Sequence, residues 1–196
     1  RFVRKESSFT ECNRLASNLI QAMDDAWENQ PSAPLSDVSI RQFTISLPAN
    51  HPLPLETAKA NFAAAQAELD AKIKANAAEG EIRLAKEKQN GARFRLIAAE
   101  NQSQAAKLDD EIRVSCSLLQ IQGQSILFTP FELYSKLSLQ IKEKAAVWII
   151  GYTNQALCYL PNTEAYDQND YEACLSLFEQ GAGEQFVAKI LDVLHA

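Results

Sequence analysis

Residues 125–151, SILFTPFELYSKLSLQIKEKAAVWIIG, decide the fold. Ser125-Ile126-Leu127-Phe128 is a short, mostly apolar run, which predicts a strand. Leu133, Leu137 and Ile141 then recur at helical spacing, which predicts a helix over Phe131 to Glu143 with Leu139 off its apolar face. Ala146 to Gly151 is apolar throughout and reads as a third, buried strand. Strand, helix and strand in that order define an α/β unit.

The flanking sequence extends the same pattern. Ile112 to Ile121 alternates enough to read as a strand, and Gln122-Gly123-Gln124 as a tight turn into Ser125, so the two strands form a hairpin. Val38, Ile40, Phe43, Ile45 and Leu47 predict a further strand, with a bulge where the alternation slips at Arg41-Gln42. Before it, Phe9 to Asn29 reads as an amphipathic helix through Leu15, Leu19, Ile20, Met23 and Trp27, capped by Ser8 or Thr10 and ended by Pro31 and Pro34. Asn154 to Leu177 reads as mostly loop with a helical turn near Thr163, and Gly183 to His195 as a closing helix. The whole predicts an α/β layered mixed sheet with flanking helices.

The segment from Leu55 to Leu108 differs in kind. It is rich in Ala, Glu, Lys, Gln and Arg, which favour helix, with Gly80 and Asn90-Gly91 as expected interruptions. Its apolar stripes (Phe62, Leu69 and Ile73, then Ile82, Phe94 and Leu96) are narrow, so it reads as a largely solvated helical insertion, residues 55–108, outside the fold.

Composition bounds the function. The 196 residues suffice for a single domain, are 46% hydrophobic and 22% charged, and carry a net charge of −6. Acidic balance argues against nucleic acid as the partner, because phosphate binding needs clustered Lys and Arg. The longest apolar run, near Ala145 to Ile150, is far below the ~20 residues of a transmembrane segment, so the chain reads as soluble, either secreted or cytoplasmic. Cys12, Cys116, Cys158 and Cys174 form no Cys-x-x-Cys pair and read as four small buried residues. No phosphate-cradling glycine loop or Ser/His/Asp arrangement is present.

The residues left for chemistry are few. Glu132 follows a strand and falls in the first turn of the expected helix, where it either complements the helix dipole or serves a site at the sheet edge. Gly151-Tyr152-Thr153-Asn154 follows the third strand, and Asn154 either caps a turn or donates to a substrate carbonyl. Tyr171 lies between Asp170 and Glu172 in the expected loop. His51, in Asn50-His51-Pro52, and His195, at the end of the last helix, read as solvent-exposed.

Pro130-Phe131-Glu132, Gly151-Tyr152-Thr153-Asn154, Tyr159-Leu160-Pro161 and Asp170-Tyr171-Glu172 stand in an order that resembles the neutral/alkaline, non-lysosomal ceramidase family. These are zinc amidases that cleave the N-acyl bond of ceramide. The resemblance covers Asp109 to the C-terminus well, and the first helix and strand loosely. It implies that Glu132 and Tyr171 are zinc ligands. Tyr152 and Asn154 would then lie near the substrate, Tyr159 would pack, and Glu172 would hold the loop through backbone amides. It also implies that the chain is the C-terminal half of a larger catalytic domain. Two histidine ligands would come from an upstream half of the same domain or from a second chain, and the substrate would be a lipid-like or other N-acyl compound. Three positions depart from the pattern. Phe131 stands where the family has the glycine of Pro-Gly-Glu, which reshapes that turn. Cys158 stands for the glycine before Tyr-Leu-Pro, and Asn169-Asp170 for a glycine pair, a milder exchange because Asn and Asp tolerate left-handed backbone. A catalytically inactive relative, acting as a binding or structural module without metal, is the alternative, as is a structural fragment parted from its other half.

Overall fold

Eleven-residue strands carry the centre of the fold: β1 (Val38–Pro48) and β2 (Glu111–Ile121) pair antiparallel over their full lengths. The computed structural model describes residues 6–29, 36–101 and 109–195. The chain divides into two compact units, Arg1–Ser36 and Asp37–Ala196.

The first unit holds α1 (Phe9–Glu28), whose N-cap is Ser8, its hydroxyl accepting the Glu11 amide at 3.1 Å. Arg14 reaches back to Glu11 at 2.7 Å. Pro31 and Pro34, expected to end this helix, lie outside the described residues.

In the second unit the β1–β2 register runs without a break from Val38↔Ile121 to Pro48↔Glu111, so the expected bulge at Arg41-Gln42 is absent. The slip in alternation is a change of face. Val38 and Ile40 point to one side of the sheet, and Phe43, Ile45 and Leu47 to the other, as a period of two demands. A turn at Gln122 and Gly123, both with positive φ (49° and 79°), leads into β3 (Gln124–Phe128), antiparallel to β2. Two successive left-handed residues match the twist of a hairpin.

The chain then forms β4 (Glu132–Leu133) and α4 (Ser135–Lys144) and returns as β5 (Val147–Ile150), parallel to β3. The sheet order is β1-β2-β3-β5, and the α/β class expected from the sequence is borne out. β5 corrects one expectation. It is an edge strand, with Trp148 and Ile150 turned outward and only Val147 buried. A four-residue apolar run has no period by which to tell one buried face from two.

Beyond β5 lie β6 (Tyr159–Leu160), parallel to β4, then α5 (Thr163–Asp167), α6 (Tyr171–Leu175) and α7 (Ala182–His195). The segment expected to be mostly loop with a helical turn near Thr163 has that turn as α5, and about half of it lies in short elements. One face of the sheet is closed by α4 and α7. Leu47, Val114 and Leu127 meet Leu137 and Ile141 of α4 and Phe186 and Ile190 of α7, all 0% exposed. Phe131 sits among them, edge-on to Phe178 at 5.7 Å and to Phe186 at 5.0 Å, contacts worth about 0.5–1.5 kcal/mol each beyond burial.

The expected helical insertion is a hairpin of α2 (Leu55–Lys74) and α3 (Glu79–Asn101), and residues 102–108 lie outside the described residues. The expected break near Gly80 falls at residues 75–78, just before Gly80 in the first turn of α3, whereas Asn90-Gly91 does not interrupt the helix. Gly91 is buried inside the helix, where a Cβ would lie 2.8 Å from the Cys174 Cβ. Its cost in helix propensity, about 0.5–1 kcal/mol, is the cost of close contact with α6. The hairpin is thus tied to the rest of the unit by one face.

Candidate functional site

Glu132 owes its position to backbone pairing. Its amide donates to the Cys158 carbonyl at 2.8 Å, and the Tyr134 amide to the Leu160 carbonyl at 3.2 Å. Buried Phe131 precedes it. The backbone is thereby held extended through Leu133, and the helix begins only at Ser135. Glu132 is a strand residue and not a first-turn helix residue, which corrects the sequence reading. The pairing that decides this comes from β6, far along the chain. Glu132 and Tyr134, two apart on an extended backbone, share a side.

Gly151 allows the next close passage: a Cβ there would lie 2.8 Å from the Phe131 carbonyl oxygen. The loop that follows has left-handed backbone at Tyr152 (φ 54°), Asn154 (φ 67°) and Cys158 (φ 55°). It is anchored by the Thr153 amide on the Thr129 carbonyl at 2.9 Å and the Leu157 amide on the Pro130 carbonyl at 2.8 Å. This conformation brings the Tyr152 hydroxyl to donate to the Glu132 carboxylate at 2.8 Å. That bond, with smaller contributions from burial and charge, pushes the phenol up to about 12.

Tyr159 stands directly across the β4–β6 pair from Glu132. Its ring meets the Tyr171 ring edge-on at 6.4 Å between centroids. Burial first, then the Glu132 carboxylate, Tyr171 and Glu172, raise its phenol above the ordinary range. Tyr171 is the first residue of α6, not a loop residue, and follows Asn169 in left-handed conformation (φ 52°). The Tyr134 hydroxyl lies 3.4 Å from an Asp170 carboxylate oxygen and 3.2 Å from one of Glu172. A phenol has one proton, so it donates to one acid at a time. Burial, then Glu172 and Asp170, drive the Tyr134 phenol far up, and burial and Glu172 raise the Asp170 carboxyl.

The structure thus gathers Glu132, Tyr152, Tyr159, Tyr171, Tyr134, Asp170 and Glu172 at one corner. Among the described residues no Lys, Arg or His forms an ion pair with these three acids. Glu172 binds the Tyr134 phenol instead of backbone amides. Asn154 belongs elsewhere: its amide nitrogen lies 3.4 Å from the Ser117 hydroxyl on β2, beside a cleft lined by Gln42, Thr44 and Ser115. His51 sits 3.5 Å from Asp110, and both histidines are exposed as expected.

The cysteine expectation needs correction. Cys116 is buried, its thiol pushed up to about 12, and Cys174 is half-buried, but Cys12 and Cys158 are exposed. Cys158 is held at the surface by its left-handed place in the loop. Sequence reasoning missed Tyr134, and the alternation Pro130-x-Glu132-x-Tyr134 was the signal that could have found it.

As donors, Glu132 and Tyr171 offer oxygen only. Among the described residues no group of three or more His, Cys, Asp or Glu is arranged to hold a metal ion, and no helix is long and apolar enough to cross a membrane. A four-coordinate zinc shell would need at least two further donors beside Glu132 and Tyr171.

Fold and site together define an α/β protein with a tyrosine–carboxylate corner at the end of its sheet. No family model, curated protein or solved structure matches the chain.

Proposed function

We propose that this corner is half of a zinc-dependent amide-hydrolase site of the ceramidase type, acting on an N-acyl lipid or related amide. The observation that carries the reading is the shared position of Glu132 and Tyr171, which flank Tyr159 from two different elements. It gains support from the left-handed backbone at Cys158 and Asn169, two of the positions where the family pattern has glycine. At the other two, Asp170 is not left-handed (φ −59°) and Phe131 has become core, the turn being carried by its burial.

In this reading Glu132 and Tyr171 bind zinc, and two imidazoles arrive from an upstream half of the domain or a second chain. When bound, zinc activates water and polarises the amide carbonyl. The chain's own residues orient the ligands. Tyr152 fixes the Glu132 carboxylate through its phenolic hydrogen bond, as outer-shell partners of metal ligands do. Tyr134 holds the acids on either side of Tyr171.

A second reading, a binding or structural module without metal, draws on the same bonds. Tyr152 already donates to Glu132, and Tyr134 to Asp170 or Glu172, so phenols of the same chain already serve these acids. Zinc content of the intact gene product separates the two. The first reading expects bound zinc, its loss in Glu132→Ala, and release of fatty acid from an N-acyl amide. Absence of zinc from the purified product, or zinc content unchanged by Glu132→Ala, overturns it.

A further inference from the structure

We infer that the helical hairpin is a positioning element of this site, acting on Tyr171 through Gly91. The hairpin reads from sequence as a solvated appendage. The structure instead presses α3 against the short helix that carries Tyr171. A Cβ at position 91 would lie 2.8 Å from the Cys174 Cβ, 3.0 Å from its Sγ and 3.8 Å from the Tyr171 Cα. Real Cβ atoms do not approach a neighbouring Cβ to 2.8 Å, so any side chain at 91 drives α6 away from α3. Arg95, one turn on, adds a second tie by donating to the Ala173 carbonyl at 3.4 Å. The Tyr134 phenol holds Asp170 and Glu172 from the β4–α4 corner. A five-residue helix has too few internal hydrogen bonds to set its own place, so these contacts decide where Tyr171 stands.

The Sγ could turn aside, but the closest contact is with the Cys174 Cβ, which no side-chain rotation moves. Gly80 in the same helix has nothing within 4 Å of its Cβ position. It is therefore an internal control: Gly80→Ala changes the first turn of the same helix without meeting α6, whereas Gly91→Ala, in the helix interior, gains more helix propensity and does meet it.

Gly91 and Arg95 touch no substrate and are positioning residues. Their functional weight rests on the zinc reading above, but their effect on Tyr171 does not. The test uses the chain labelled with 3-fluorotyrosine, with the Tyr171 fluorine resonance assigned by its loss in Tyr171→Phe. Gly91→Ala is expected to shift that resonance while Tyr166 stays in place, and Gly80→Ala to leave both unmoved. In the double variant Gly91→Ala with Cys174→Gly, the added methyl occupies the space vacated, and the Tyr171 resonance returns toward its original position. In the intact gene product the same series should lower zinc affinity about tenfold for Gly91→Ala, the scale of outer-shell substitutions, and restore it in the double variant. If Gly91→Ala does not fold, Cys174→Gly alone opens the same contact and is expected to broaden or shift the Tyr171 resonance. A Tyr171 resonance unmoved in folded Gly91→Ala, or moved equally by Gly80→Ala, overturns the inference. If no protein in the series binds zinc while the resonance pattern holds, positioning stands and the zinc reading fails.

Discussion

The two faces of the four-stranded sheet are built from the same strands and end in opposite conditions. On one, Leu47, Val114 and Leu127 are wholly buried under α4 and α7. On the other, strand register lines up Ile40, Leu119, Ile126 and Trp148 in a single row, with Ile40 66% and Trp148 64% exposed. Both faces are apolar at these positions. Apolar content therefore does not decide which face is closed. The crossover helix between β3 and β5 and the last helix decide it, because a helix must lay its apolar stripe somewhere and both lay theirs on one side.

That contrast can be broken or sharpened by substitution. The largest effect belongs to Phe186→Ala, which empties the contact of α7 with Phe131. It is expected to cost about 3–5 kcal/mol, read as a lower denaturant midpoint at unchanged slope, and a cost near zero would show that the covered face is not the core. Next comes Gly183→Ala at the start of α7. A Cβ there meets the Pro161 carbonyl oxygen at 2.4 Å and Leu137 Cδ1 at 2.6 Å, so thermal unfolding should register a loss of about 1–3 kcal/mol despite alanine's better helix propensity. The smallest belongs to the open face. Trp148→Glu exchanges a ring lying 5.5 Å from the Lys142 ammonium for a carboxylate, and should change stability by less than about 0.5 kcal/mol. Light scattering should at the same time show less self-association, because an exposed apolar row has been interrupted. A loss of several kcal/mol there would mean that both faces are packed.

What could be read from the sequence follows the range of the interactions responsible. The β1, β2 and β3 strands, the Gln122-Gly123 turn and the α4 and α7 helices rest on local period and turn chemistry, and all stand in the structure. Glu132 reads from sequence as a helix residue because its extended backbone comes from pairing with Tyr159 and Leu160, which no local pattern announces. Gly91 reads as a break because a glycine in close contact with Cys174 looks, in one dimension, like a glycine that ends a helix. Trp148 and Ile150 were read as buried because a four-residue strand carries no period. At the site, Glu132, Tyr171 and Glu172 were singled out and do meet at one corner, whereas Asn154 lies against Ser117. Tyr134 carries no local signal of its role, because its partners Asp170 and Glu172 lie 36 and 38 residues away along the chain.

Left-handed backbone at Cys158 makes chemical drift at that position one-directional. A side chain in this conformation costs roughly 1–2 kcal/mol relative to glycine, and a β-branched one more. About 1.4 kcal/mol is a factor of ten in the ratio of folded to unfolded chains. Exchange of Cys158 for glycine is thus downhill for the fold, and exchange for valine or isoleucine is steeply uphill. The present thiol thus stands where the backbone alone would favour glycine.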